Sequence, residues 1–188
     1  MTLLKTSLLV LLTFQLGFSQ EIENAAILKV LLTKAYANEK VIVKNRLQLL
    51  SLYCNKAPNN EETLEVIKNN DLLKKNADAI KKQIDATINE DWSKEFNILF
   101  TNQHQFLKSK VNDCLSLEEF QNLTSKYGEN NQRMMIISKP MYFATNYSLV
   151  KVAFYRNIVH NSFCFYLFEK KNEVWTIIET LNEWSTFD

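Results

Sequence analysis

Near Asn130 the chain changes character, and this change limits its fold more than any other feature. Before it, helix-forming residues dominate, with apolar positions at steps of three and four. After it come β-branched and aromatic runs, "RMMIISK", "SLVKVAFYR", "SFCFYLFE" and "VWTIIET", separated by short turn segments. Their spacing is that of an antiparallel meander. Helices first and strands last make an α+β chain, with N-terminal helices packed on a C-terminal antiparallel meander of about four strands. The helical part is expected over about 20–128 and the meander over about 130–188, in a single domain. The architectural alternative is a cone-like α+β fold, in which a curved sheet wraps a helix and holds a small molecule.

Within the helical part, "EIENAAILKVLLTKAYANEK" places Ile27, Val30, Leu31 and Lys34 at helical spacing, which predicts a helix over about 22–37. Val41, Ile42 and Val43 favour a short strand, and "LQLLSLY" after them fits either a strand or a helix. From Glu62 onward Leu64, Ile67, Leu73, Ala77, Ile80, Ile84 and Ile88 form an amphipathic stripe. Residues 69–71, "NND", divide the stripe into two helices, with Asp71 as the second N-cap. "DWSKEFNILFTNQHQFLKSKV" has no clean period and reads as mixed loop and helix. Ser116 followed by Glu119 is a capping box, and Gly128 stands where a left-handed C-cap belongs, so a helix spans 117–127.

"MTLLKTSLLVLLTFQLGFSQ" opens the chain with Lys5, an apolar run from Leu8 to Phe18, and Gly17 and Ser19 placed small-x-small. This is the pattern of a signal peptide over 1–19, and the apolar run falls short of the ~20 residues that span a bilayer. The expected setting is therefore exported, periplasmic or extracellular, with no membrane span after cleavage. Loss of Lys5 removes one of 22 basic residues and leaves 21 against 21 acids. Lys74, Lys75, Lys81 and Lys82 alternate with Asp71, Asp78 and Asp85, so no basic footprint for nucleic acid exists. Cys54, Cys114 and Cys164 allow one disulfide and one remaining thiol. Cys164, between Phe163 and Phe165, suits a small buried hydrophobe.

The strand "SFCFYLF" is apolar on both faces, with Phe163, Phe165 and Leu167 on one and Cys164, Tyr166 and Phe168 on the other. A meander with one wetted face should alternate with polar residues. Either helices cover both faces, or an aromatic surface is left for self-association or a partner. In the second case the binding residues are Tyr155, Tyr166, Trp175 and Trp184, with the terminal "NEWSTFD" as a flap. The turn "KKNE" offers Asn172 for a left-handed conformation but no glycine.

Ser138, Pro140, Leu149, Val150, Asn172, Trp175 and Trp184, in the last third of the chain, resemble the C-terminal strands of uncharacterised exported proteins from Bacteroidetes bacteria. The resemblance implies compartment and architecture. It implies no activity, and the family's glycines and paired cysteines are missing around Asn161 to Cys164.

Catalytic motifs are sparse. His104 and His160 each lack a second ligand at helical or hairpin spacing, so no metal is expected. With only Gly17 and Gly128, neither a phosphate-binding glycine loop nor a G-x-S-x-G nucleophile turn is possible. Cys164 and His160 sit too far apart along a strand to form a dyad. Glu118 and Glu119 belong to a helix start, and Asp91 with Glu95 to a solvated first turn beside Trp92. The expectation is a non-catalytic binding or protein-interaction module without a cofactor, its partner a protein, a small molecule or a second copy. An envelope hydrolase with an unrecognised acid/base site is the alternative.

Overall fold

The computed structural model describes residues 19–35, 42–43, 46–47, 49–84, 89–101, 105–108, 111, 114–127, 132–155 and 161–185. Residues 19–35 form α1, two turns of which bury Ile27, Leu28, Leu31 and Leu32. The helix already includes residue 19, ahead of the start at about 22 that its apolar period predicts. Two short strands, β1 (Ile42–Val43) and β2 (Arg46–Leu47), pair with each other, and β3 (Leu49–Tyr53) follows. Next come α2 (Glu62–Asn69), α3 (Asp71–Lys75), α4 (Ala77–Ile84), α5 (Ser93–Phe100), α6 (Gln105–Lys108), β4 (Cys114–Leu115) and α7 (Leu117–Tyr127). The remainder is strand: β5 (Gln132–Ile137), β6 (Met141–Phe143), β7 (Tyr147–Tyr155), β8 (Asn161–Lys171) and β9 (Val174–Ser185). The class is α+β. No helix among the described residues is long and apolar enough to cross a membrane.

The sheet is larger and more mixed than a four-stranded meander. Its seven strands run β4-β3-β5-β7-β8-β9, with β6 beside β7, and β3 is parallel to both of its neighbours. The helical part expected over 20–128 is thus interrupted by β3 and β4. Within the ambiguous "LQLLSLY", Leu47 ends β2 and residues 49–53 become an interior strand, paired on both edges and with Ser51 and Leu52, on opposite faces, fully buried.

Helices cover both faces of the sheet, so it does not curl around a single helix as the cone-like alternative requires. On one face Leu149, Phe165, Leu167, Met141 and Phe143 pack against Val66, Ile67, Leu73, Ile80 and Ile84 of α2, α3 and α4. On the other Leu52, Met135, Ile137, Val150, Val152 and Phe168 pack against α1 and α5. The doubly apolar "SFCFYLF" is the centre of this sandwich.

Local chemistry sets the breaks. Asn70, one residue before the expected Asp71, caps α3 by accepting the Leu73 N–H at 3.1 Å. The stripe from Glu62 forms three helices because Asn76 stops α3, its side chain bonding the Leu72 carbonyl. The Ser116–Glu119 box closes in both directions, at 2.7 and 3.2 Å, and starts α7 where expected. Gly128 and Ile88 lie outside the described residues, as do both histidines. Asn172 and Glu173 both take positive φ, 49° and 62°, in the two-residue turn between β8 and β9, without a glycine. Cys54 and Cys114 form a disulfide, and Cys164 is free and buried.

Candidate functional site

Three irregular chain segments extend the sheet beyond the ends of β3 and β5, and they position most of the site. Residues 54–57 bond to residues 90–92 on one side, through Lys56 N–H to Glu90 carbonyl and Trp92 N–H to Cys54 carbonyl, both 2.9 Å. On the other side the Ala57 N–H reaches the Ile137 carbonyl and the Lys139 N–H reaches the Ala57 carbonyl. Pro140 has no N–H to extend the pairing of β5 with β7. Ser138 fills the break, its hydroxyl accepting the Lys151 N–H at 3.0 Å. Glu90, Asp91, Lys56 and Lys139 are thereby set side by side.

The N-terminal end of α1 and the first turn of α5 close over this ladder. They leave a cleft of about 380 Å³ lined by Gln20, Glu21, Asn24, Lys56, Asn89, Glu90, Asp91, Lys94, Glu95 and Lys139. Its floor is a buried charged pair. Lys56 Nζ lies 2.6 Å from Glu95 Oε1, and their side chains are only 4% and 1% exposed. Burial at this depth costs several kcal/mol per ion and demands further hydrogen bonds. They are present: Asn24 Nδ2 donates to the same Glu95 oxygen at 2.9 Å, and the Tyr142 hydroxyl donates to Asn24 Oδ1 at 2.8 Å. Lys56 also reaches Glu90 at 3.2 Å and stands 5.0 Å from the centre of the Trp92 ring.

At the rim Glu90 pairs with Lys139 and Glu21 with Lys94, the latter at 2.7 Å. Partial burial alone would raise the Glu90 carboxyl, but the bonds from Lys139 and Lys56 outweigh it and hold the group below the usual carboxylate range. Burial pushes the Tyr142 phenol far above its ordinary value, and the nearby carboxylates of Glu23 and Glu95 push it further. Glu95 is thus no solvated first-turn acid, as its spacing from Asp91 suggests; α1 closes over it and supplies Asn24 as a partner.

The four aromatic residues expected to share one binding surface are divided between the faces. Tyr166 and Trp175 lie on the α1 side. Trp175 is buried, not exposed, because the Glu23 carboxylate accepts its indole N–H at 2.6 Å and the Tyr142 ring packs against it at 5.8 Å. Tyr166 is half-buried in the same core, with Lys34 5.5 Å above its ring. Tyr155 and Trp184 lie on the opposite side. Tyr155 meets the Phe120 ring of α7 at 6.1 Å, while Trp184 is 48% exposed and meets Phe163 at 5.5 Å. The first four residues of the expected flap, Asn182 to Ser185, belong to β9. Cys164 has its thiol raised by burial, which makes it a poor nucleophile.

Lys56, Asn24 and Lys139 were invisible as a site in the sequence, since no local spacing links them. Comparison with protein-family models, with curated proteins and with solved structures finds no match to this chain.

Proposed function

We propose that the chain is an exported, non-catalytic binding module whose small polar ligand sits in the cleft beneath the N-terminal end of α1. The observation that carries this reading is the cleft's floor. An apolar pair in place of Lys56 and Glu95 would stabilise the fold as well or better. A buried charged pair lining a cleft instead gives a rigid set of donors and acceptors, which suits recognition. The export half of the reading is supported by the leader pattern in residues 1–19, and the Cys54–Cys114 disulfide is compatible with an oxidising compartment.

A hydrolase gains from having Glu90 and Glu95 in one cleft. It loses more, because Glu90 is held low, the reverse of a general acid, and Glu95 is occupied by two donors. A homodimer would use β9, the sheet's outer strand, which carries Val174, Ile178 and Trp184, all exposed. Glu179 and Glu183 punctuate that strand, Glu173 precedes it in the turn, and no lysine or arginine follows Lys171, so two copies paired edge to edge would oppose their acids. Bulges near Ile178 and Asn182 also disrupt the edge.

The test is thermal unfolding of residues 20–188 in a panel of small polar solutes. Binding raises Tm with the logarithm of solute concentration. The rise should vanish in the Lys56→Met, Glu95→Leu double variant, which should still fold, at a cost of about 1–3 kcal/mol because the buried Asn24 amide loses its acceptor. If no solute moves Tm, or the double variant responds equally, the reading is wrong.

A further inference from the structure

The charges around the cleft do not balance, and the imbalance has an address. Three lysines, Lys56, Lys94 and Lys139, face four carboxylates, Glu21, Glu90, Asp91 and Glu95. Ion pairs account for three of the four: Lys56 with Glu95 and Glu90, Lys139 with Glu90, and Lys94 with Glu21. Asp91 has no ion-pair partner among the described residues. Its Oδ1 accepts the Ser93 N–H at 2.9 Å and so fixes the side chain at the start of α5. The carboxylate is exposed at the cleft's wall, where Lys94 attracts it without forming an ion pair, and the amide-bearing Gln20 and Asn89 also line the cavity.

On the reading that this cleft is a ligand site, we infer that its ligand is a small organic cation, an amine or a guanidinium, whose charge sits against Asp91. An anion would add a fifth negative charge to a wall that already has one too many. A wholly apolar ligand would strip water from the lysines and carboxylates and replace none of their hydrogen bonds. A cation supplies the missing partner and donates N–H groups to carboxylate and amide oxygens. Lys94, the like charge that Asp91 already attracts, is paired with Glu21 at 2.7 Å, so it opposes entry only weakly. The cavity volume suits a molecule of a few to a dozen heavy atoms, within the ~300–1,000 Å³ usual for ligand clefts.

The experiment is a titration followed by amide NMR spectra, at low salt, of residues 20–188 with the α-amino group acetylated, so that a terminal ammonium at Gln20 does not compete. Putrescine and methylguanidine are the cationic probes, with glutarate and glucose as anionic and neutral counterparts. The expected result is saturable binding of the cations alone, with shifts around Asp91, Lys94 and Lys56. The Asp91→Asn variant retains Oδ1 for the Ser93 N–H and removes only the charge. It should weaken cation binding about fivefold or more, as does the loss of a partly screened ion pair. If glucose or glutarate binds as tightly as the cations, or Asp91→Asn leaves the cation affinity unchanged, the assignment to a cation is overturned while the cleft stands as a ligand site. If no probe of any class binds, both fail together.

Discussion

The two faces of the sheet bury aromatic rings in different company. Against α2, α3 and α4, Phe143 and Phe165 are buried with no polar group of their own, Phe143 stacked on Tyr147 at 5.8 Å and Phe165 lying 6.0 Å from Lys151. Against α1 and α5, the rings carry polar tips that are in use. The hydroxyl of Tyr142 runs to Asn24 and on to Glu95, and the indole N–H of Trp175 runs to Glu23, which also holds Lys170 at 2.8 Å. Removal of a ring atom is therefore a matter of volume for Phe143 and Phe165 and of hydrogen bonding for Tyr142 and Trp175. The second face ends in the cleft.

The largest effect that separates them is Phe165→Ala. The residue is fully buried, and its loss should cost about 3–5 kcal/mol in urea unfolding. Tyr142→Phe on the other face keeps the ring and should cost only about 1 kcal/mol, by leaving Asn24 Oδ1 without its donor. Equal costs would erase the contrast between the faces. The pH dependence sharpens it further. The Glu90 carboxyl is depressed in the folded chain, so the unfolded chain binds its proton at higher pH. Its contribution is present above the ordinary carboxylate value and is lost as pH falls through the lowered one. Between those limits the stability of Glu90→Gln should fall less steeply with acid than that of the parent chain; parallel curves would remove Glu90 from the network. The smallest effect belongs to neither face. Glu173 takes a left-handed conformation that a glycine adopts freely, so Glu173→Gly should stabilise by up to about 1 kcal/mol, reduced by loss of the 2.6 Å contact with Lys170. A destabilised variant would show that the ion pair outweighs the backbone.

These contrasts were unequally legible in the sequence. The start of α7 could be read directly because a capping box is local: both partners lie within three residues of one another. The apolar character of both sides of β8 was equally plain, since it is written in one strand, and it required cover that the helices supply. Strand β3 was ambiguous for a related reason. A strand buried on both faces loses its alternation and leaves an apolar run that a helix could also use. The cleft was illegible because nothing local encodes it. Lys56 and Glu95 meet only after residues 54–57 lie beside residues 90–92 and α1 closes over both, and in the sequence each reads as an ordinary solvated charge.

The parallel placement of β3 between β4 and β5 has a kinetic consequence. Strands β7, β8 and β9 pair as successive antiparallel neighbours separated by few residues in the chain, so their pairing closes short segments at small entropic cost. Strand β3 has no such route. It is made long before Cys114–Leu115 and Gln132–Ile137, its partners, and must stay unpaired until they emerge. Long-range closure of this kind is the slow part of folding. Its delay also sets when Lys56, a few residues beyond β3, reaches Glu95, so the cleft should be among the last features to form.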